Sequence, residues 1–376
     1  MKKLLIATDA YLPRWDGIAR FLSEIIPHLH GYDVTVLAPK FPQFHGHVDP
    51  DTKVKVIRLE SYRFRTGDYH PPKFHFKEIR QAVAEADIVW THAIMPIGML
   101  AIFYASRMGK PIIAHIHSIE WELALNCLSP WNIFRPLASY GTKLVARSLY
   151  NRCSLIITPS REAARKLSGI GVRVPKVVIT MGVNTHRFRP PEDKEEAKKH
   201  IQISPEKKVI GYCGRLGREK DLMTLYKAFN RVRKETNSTL LIVGEGLKHL
   251  EDMFKKDINV KFIGATQNVI PYYQAMDVYV LPSLTETSSL STMEAMSCGV
   301  AVLATKVGHL GDYITDKVNG CFFPTKNDLV LSLKLKWLFE KGSVRRVLGQ
   351  NARETIINKY SWDVAAENIR GTLTQF

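Results

Sequence analysis

Two glutamates, Glu286 and Glu294, lie eight residues apart around a run of small hydroxyl residues in LTETSSLSTMEAMSCG. Apolar, β-prone runs precede and follow this stretch, which predicts strand, loop, helix and strand in that order. On one continuous helix the two carboxylates would point about 80° apart, so we place Glu286 on the loop and Glu294 in the first turns of the helix. Both would then face one crevice, with the free N–H groups of a phosphate-binding helix start between them.

A purely structural interpretation of the same stretch is also available. In the first interpretation Ser288, Ser289 or Ser291 caps the helix. In the structural one, Ser291 and Glu294 have the spacing of a capping box, in which the glutamate only returns a hydrogen bond to the cap residue. Glu286 would then be a solvated charge on a loop. The rest of the chain is needed to choose between the two interpretations.

Length and composition predict a globular protein of two domains, since the chain has 376 residues of which 45% are hydrophobic and 24% are charged. The five cysteines include no Cys-x-x-Cys pair, which argues against a zinc knuckle or a disulfide framework and favours a reducing, cytoplasmic setting. Polar residues follow the opening apolar run too soon for a signal peptide or a membrane span, so we expect that run to form a first buried strand.

The net charge of +17 lies mostly in the first half of the chain, where residues 1–190 carry +12 and residues 191–376 carry +5. Nucleic acids, anionic membranes and anionic substrates would all be attracted to such a surface. We find no nucleic-acid-binding module in the sequence, and the paired glutamates would repel a phosphate backbone. We therefore expect no nucleic-acid partner, although a basic nucleic-acid-binding protein remains an alternative.

Strand-like apolar runs alternate with helical patterns in both halves of the chain, which predicts an α/β protein with doubly wound parallel sheets. A charged, proline-marked stretch separates the halves. We predict two Rossmann-like domains, 1–190 and 208–360, joined by a linker at 191–207 and facing a shared cleft. A C-terminal helix at 361–376 would follow; packing back on the first domain is one option, and its docking is left open.

The turn after the first strand of the second half contains two cations. Its glycines, in GYCGRLG from residue 211, have spacings of three and three, which do not match the G-x-G-x-x-G pattern of dinucleotide sites. Arg215 and Lys220 instead lie five apart in a predicted strand-to-helix loop, where two cations can clamp a diphosphate. Surface solvation accounts for these two residues equally well when they are considered alone.

Taken in order, these motifs resemble the retaining glycosyltransferases of family four, which have the two-domain GT-B fold. The resemblance covers nearly the whole chain. It is carried by the Glu-x7-Glu motif with AMSCGVAVLAT after it, by GRLGREKD, and by WDGIARFLSEI near the start; HIH at 115–117, TPS at 158–160, MGVNTHRF at 181–188 and the closing YSW support it. It implies that the amino-terminal domain binds the acceptor, that the carboxyl-terminal domain binds a nucleotide sugar, and that the anomeric configuration is retained.

The resemblance also implies roles for individual residues of the second domain. Arg215 and Lys220 would hold the diphosphate and stabilise the charge that grows on it. Glu294 would bind the ribose hydroxyls, and Glu286 would hold hydroxyls of the donor sugar near the reacting carbon. Backbone N–H groups would contact the sugar and phosphates from Thr287, Ser288, Ser289 and Leu290.

In the first domain the resemblance singles out a histidine and a glycine. His117 matches the histidine that reaches the donor sugar or the acceptor in this family, and its role would be catalytic together with Glu286, Arg215 and Lys220. His115 lies on the same face by strand alternation and is a competing candidate, but the serine after His117 fits the family pattern. Gly17 would let the first loop approach the phosphates closely.

The sequence departs from the family pattern at four places. Asp16 stands where a second glycine is usual, Met181 where asparagine is common, and His309 where glycine is usual; the loop after Glu286 reads TSS in place of glycine-phenylalanine-glycine. The first and the last of these would alter which sugar is accepted. None removes a cation or a carboxylate of the predicted set.

The resemblance implies transfer of a hexose from a UDP- or GDP-linked sugar to an acceptor hydroxyl; a nucleotide-sugar epimerase of related fold is the alternative. No aspartate pair suited to holding a metal against a diphosphate stands out, so we expect no metal and no cofactor. Basic and aromatic residues interleave at 61–77 and 131–152. We interpret Trp131, Phe134, Arg135, Lys143 and Arg147 as a patch that contacts an anionic membrane beside a lipid or lipid-linked acceptor; a core helix with a solvated basic face is the alternative.

Overall fold

The computed structural model describes residues 1–14, 16–41, 54–62, 71–117, 119, 121, 135–286 and 288–376. The chain divides into two compact units, one of Met1–Thr180 with Ala365–Phe376 and one of Met181–Val364. The domain and linker limits predicted from the sequence stay predictions. No helix among the described residues is long and apolar enough to cross a bilayer.

The first unit contains seven parallel strands in its described part. They are β1 (Lys2–Thr8), β2 (Tyr32–Lys40), β3 (Lys55–Glu60), β4 (Ile88–His92), β5 (Ile112–His115), β6 (Leu155–Thr158) and β7 (Lys176–Val178). Across the sheet they follow the order β3-β2-β1-β4-β5-β6-β7. The order reverses between β1 and β4, and open α/β sheets bind their ligands at the carboxyl ends of the strands beside such a reversal.

Helices connect these strands and cover the sheet. In the described part of the unit they are α1 (Gly17–Ile25), α2 (Phe76–Glu85), α3 (Pro96–Arg107), α4 (Arg135–Tyr150) and α5 (Arg161–Gly169). The central strands read as continuous apolar runs because both of their faces are covered, and the side chains of Leu5, Val89 and Ile113 are fully or almost fully buried.

The second unit repeats this architecture with six parallel strands in its described part. They are β8 (Lys208–Cys213), β9 (Ser238–Val243), β10 (Val260–Gly264), β11 (Val278–Leu281), β12 (Ala301–Thr305) and β13 (Cys321–Phe323). Their order is β10-β9-β8-β11-β12-β13, so the reversal falls between β8 and β11. The predicted fold class of two Rossmann-like parallel-sheet domains is confirmed.

The helices of the second unit pack around its own apolar core, which includes Tyr212, Phe229 and Tyr279. They are α6 (Lys194–His200), α7 (Leu222–Val232), α8 (Lys248–Lys256), α9 (Ile270–Ala275), α10 (Leu290–Ser297), α11 (Leu310–Tyr313), α12 (Asp328–Glu340) and α13 (Gly342–Lys359). The chain ends with α14 (Trp362–Leu373), which begins in the second unit and ends in the first.

Candidate active site

The four charged side chains predicted from the sequence lie on the segments that follow β8 and β11. The two strands are parallel neighbours, so their carboxyl ends lie at the same edge of the sheet. The loop after β8 carries Arg215 and Lys220. The loop after β11 carries Glu286 and leads into α10, which carries Glu294.

An ion pair joins these two loops. Lys220 Nζ lies 2.5 Å from Glu286 Oε1, and the two side chains are 19% and 8% exposed. The hydroxyl of Ser283 donates to the same carboxylate oxygen at 2.8 Å, and the backbone N–H of Leu284 donates to the carbonyl of Glu219 at 2.7 Å. The predicted diphosphate cation and the predicted sugar-binding carboxylate are therefore in direct contact.

The loop after β12 fixes the backbone of Glu286 from a third side. Gly308 has φ +54°, and a Cβ there would lie 2.0 Å from the carbonyl oxygen of Glu286. This close approach requires glycine, both for the left-handed backbone and for the space. Thr305 adds a hydrogen bond of 2.5 Å from its hydroxyl to the carbonyl of Ser283. His309, which follows directly, is buried.

Arg215 lies in a more open position than Lys220. Its side chain is 73% exposed, and its Nη2 lies 2.7 Å from Glu219 Oε1. Gly217 makes room for this carboxylate, since a Cβ there would lie 2.2 Å from the same oxygen. Each predicted cation of the β8 loop is thus paired with a carboxylate, and an exposed guanidinium can exchange such a partner for phosphate oxygens at small cost.

The start of α10 excludes the capping-box interpretation. Ser289 is the cap residue, and its hydroxyl accepts a hydrogen bond from the backbone N–H of Thr292, so Ser291 lies inside the helix. Glu294 is 5% exposed and accepts a hydrogen bond of 3.0 Å from the hydroxyl of Tyr273. Burial, the Cys213 thiol and the Glu294 carboxylate raise the pKa of Tyr273 well above its usual value, so this hydroxyl remains a donor.

Of the backbone N–H groups predicted to contact the donor, three belong to described residues. Ser288 and Leu290 are half-buried and Ser289 is buried. Thr287 lies outside the described residues.

In the first unit the predicted histidine belongs to a group of three, His92, His115 and His117, which we call the histidine trio. His92 ends β4 and is the register partner of His115 on β5, and His117 follows two residues later. His92 Nδ1 lies 2.9 Å from His117 Nε2. The rings of His115 and His117 stack at 4.4 Å with planes 7° apart, and the edge of Phe21 from α1 closes over both.

The trio is uncharged because burial disfavours the imidazolium form. Burial lowers the pKa of His117 to about 3. Burial, and then the neighbouring histidines, lower the pKa of His92 and that of His115 well below the usual value. His117 is half-buried, whereas the other two rings are buried.

Gly17 is the first residue of α1, and a Cβ there would meet no atom within 4 Å. Asp16, the departure next to it, is the cap of this helix: its Oδ1 accepts hydrogen bonds from the N–H groups of Ile18 and Ala19 at 3.0 and 2.9 Å. Arg14 forms an ion pair with its other oxygen at 3.1 Å. The negative charge of Asp16 is thus engaged within its own loop and helix start.

Two family models match the chain. The model for Glycosyltransferase Family 4 matches residues 15–187, and the model for Glycosyl transferases group 1 matches residues 193–355. The chain belongs to the group 1 glycosyltransferases. In this glycosyltransferase the histidine trio and Gly17 fall within the first match, and the charged loops of β8 and β11 fall within the second.

Relatives of known name match over nearly the full chain. The glycosyltransferase is 24% identical to an alpha-monoglucosyldiacylglycerol synthase of Streptococcus pneumoniae, over 98% of this chain and 84% of the relative. It is 23% identical to a GDP-mannose-dependent alpha-(1-6)-phosphatidylinositol monomannoside mannosyltransferase of Mycobacterium tuberculosis, over 98% and 97%. The solved structure of Anabaena HepE in complex with UDP matches with a TM-score of 0.78 at 20% identity, over 100% of both chains, which shows the shared GT-B fold.

Sequence reasoning missed two side chains of these sites, Glu219 and His92. Glu219 lies four residues after Arg215, a spacing that often pairs charges, and that signal was available. His92 is a polar residue two positions after the run ADIVW, but nothing in the sequence links it to His117, 25 residues away.

The lowered pKa values predict that the free energy of unfolding falls with acid. The unfolded chain protonates these histidines near pH 6.5, whereas the folded chain does not, so the unfolded state binds more protons below that pH. The loss should reach about 1.4 kcal/mol per pH unit for each histidine, and it should vanish above about pH 7. Denaturant unfolding between pH 5 and 8 measures this slope.

The variant His115→Phe keeps an aromatic ring at the stacked position. Its free energy of unfolding should fall less steeply with decreasing pH than that of the wild type. His30→Asn, at an exposed histidine of the same unit, is the matched control and should retain the wild-type slope. Equal slopes for wild type and His115→Phe would contradict the prediction.

Proposed function

We propose that this chain transfers a hexose from a UDP- or GDP-linked sugar to an acceptor hydroxyl with retention of the anomeric configuration. The observation that carries the proposal is the contact between Lys220 and Glu286 at the carboxyl ends of β8 and β11. It places a cation for the leaving diphosphate directly beside a carboxylate that can accept hydrogen bonds from sugar hydroxyls. The names of the relatives, which include a glucosyldiacylglycerol synthase and a GDP-mannose-dependent enzyme, support a nucleotide-sugar donor.

The proposed reaction breaks the bond between the sugar carbon and the diphosphate oxygen and forms a bond from that carbon to the acceptor oxygen. Lys220 and Arg215 stabilise the negative charge that grows on the diphosphate, and such stabilisation is often the largest part of catalysis. The leaving phosphate oxygen accepts the proton of the acceptor hydroxyl on the same face, which retains the configuration. The alternative, a covalent intermediate, needs a carboxylate beneath the sugar carbon.

A thermal-shift panel of UDP, GDP, ADP and their sugar conjugates tests which nucleotide the sugar donor carries. A ligand at 100 times its dissociation constant should stabilise the folded state by about 2.7 kcal/mol. We expect one nucleotide series to stabilise the wild type and Glu294→Gln to lose that response, because the amide replaces one of the two acceptor oxygens of the carboxylate with an NH₂ donor. Glu340→Gln, at an exposed residue ending α12, is the control and should respond like the wild type. If no nucleotide raises the melting temperature of the wild type at millimolar concentration, the proposal fails.

We propose that the transfer needs no metal ion, since Arg215 and Lys220 supply positive charge where metal-dependent enzymes use a cation. Chelator treatment should leave kcat/KM unchanged within about twofold, whereas Lys220→Ala should lower kcat by about 10²- to 10³-fold, as for loss of one charge-stabilising donor. Loss of turnover in chelator with recovery in magnesium would contradict this part.

For the acceptor we propose a lipid or lipid-linked glycan at an anionic membrane surface. Helix α4 exposes Leu137, Tyr140 and Leu144, whose spacing places them on one face, and the first two are 69% and 64% exposed. Lys143 and Arg147 of the predicted patch lie on the same helix. Trp131, Phe134 and the side chain of Arg135 lie outside the described residues. An exposed apolar face with basic neighbours suits the membrane interface better than it suits a core helix.

Flotation with vesicles that contain anionic lipid, at low salt, tests this surface. The wild type should bind. The double variant Leu137→Ser/Leu144→Ser should bind at least about tenfold more weakly, because it has two fewer leucine side chains to bury in the membrane. Leu329→Ser with Leu333→Ser, at two exposed leucines of α12, is the matched control and should bind like the wild type. An absence of wild-type binding would count against the membrane proposal, and a lipid-free acceptor would then be sought.

A further inference from the structure

The contact between His92 and His117 is a hydrogen bond between ring edges. The two nitrogens are 2.9 Å apart, whereas the ring centroids are 5.2 Å apart and the planes differ by 22°. A nitrogen separation so much shorter than the centroid separation means that the rings meet through their nitrogens, nearly in one plane. Since both rings are neutral, one nitrogen must donate a proton and the other must accept it.

The surroundings of His92 decide which ring donates. His92 is fully buried, and its other nitrogen, Nε2, has no hydrogen-bond partner among the described residues. If His117 donated, His92 would carry its proton on Nε2, as a buried N–H without an acceptor, and such orphaned donors are rare in folded proteins. If His92 donates from Nδ1, Nε2 is a bare nitrogen on a ring that packs against Trp90 and Phe21, so the arrangement favours His92 as the donor.

The backbone beside His92 is fixed by close contacts. Ala93, directly after His92, has φ +76°, a left-handed conformation that is costly for a residue with a Cβ. Its N–H donates to the carbonyl of His115 at 3.2 Å, and Gly98 leaves the space for its carbonyl, since a Cβ there would lie 2.1 Å from that oxygen. This strained turn aims His92 at His117.

The same three histidines have ligand nitrogens within 4.8 Å of one another, which is also a spacing for a metal ion. An ion binds an imidazole in the plane of its ring. The rings of His115 and His117 are stacked in parallel planes, which do not meet at one ion, and the nitrogens of His92 and His117 point at each other. The ring geometry therefore favours the hydrogen bond over a shared ion.

We propose that His92 is a positioning residue that donates its Nδ1 proton to Nε2 of His117 and thereby holds His117 as the tautomer protonated on Nδ1. His117, the ring of the trio that is only half-buried, then offers an N–H donor to an oxygen of the bound substrate and does not act as a base. The tautomer follows from the trio alone, and only the contact with substrate rests on the proposed function.

Nitrogen NMR of the full chain with ¹⁵N-labelled histidine tests the tautomer directly. Long-range proton–nitrogen correlations at pH 7 distinguish a ring protonated on Nδ1 from one protonated on Nε2, and the spectrum of His117→Asn identifies the signals of His117. We expect His117 to be protonated on Nδ1 in the wild type. A wild-type His117 protonated on Nε2 overturns the proposal, whatever the activity and whether or not any His92 variant folds.

Two variants distinguish a positioning role of His92 from a role in packing alone. His92→Phe keeps the ring but removes the donor, so His117 should lose its fixed tautomer and kcat should fall about tenfold or more with a smaller change in KM. His92→Asn places an amide N–H near the position of Nδ1 and should restore both readouts in part. A fall in kcat for His92→Phe with the tautomer of His117 unchanged overturns the positioning role.

Zinc added to the wild type provides the remaining arm of the test. One equivalent should leave the histidine signals of the trio unchanged; tight binding that shifts all three rings overturns the hydrogen-bond assignment in favour of a metal site. If the nucleotide panel fails while His117 is protonated on Nδ1, the proposed function is lost and the tautomer assignment stands.

Discussion

The buried ion pair between Lys220 and Glu286 organises the charged site of the second unit. A carboxylate that is 8% exposed is stable only when it is paired, and its partner comes from a loop 66 residues earlier in the chain. The other contacts of this edge support the pair: Ser283 donates to the same oxygen, and Gly308 lets the third loop reach the backbone of Glu286. Three strand ends are thereby fixed around one carboxylate.

The corresponding sheet edge of the first unit carries uncharged polar groups in place of an ion pair. There the polar groups are neutral imidazoles, enclosed by Trp90 and Phe21, and their protons are placed by hydrogen bonding and not by charge. Buried polar atoms without partners destabilise a fold, as does the strained backbone at Ala93. Such costs persist where the surroundings over-determine a local geometry, and in this unit they converge beside the residue that matches the family histidine.

Two of the departures from the family pattern place helix-capping residues in the structure. Asp16 is the cap of α1 and is paired with Arg14, so its charge is partly neutralised within the loop. Ser289, from the TSS segment that replaces the usual glycine-rich loop, caps α10 and leaves Ser291 inside the helix. Both substitutions place side chains where glycines would leave space.

The sequence alone determined the two parallel sheets, because buried parallel strands are continuous apolar runs that alternate with amphipathic helices. Its motifs also identified the family and predicted Arg215, Lys220, Glu286 and Glu294 as candidate site residues at strand ends. Only the tertiary structure decided which of them touch. The pairing of Lys220 with Glu286, and that of His117 with His92, depends on strand order and register across the sheet, and neither leaves a local pattern in the chain.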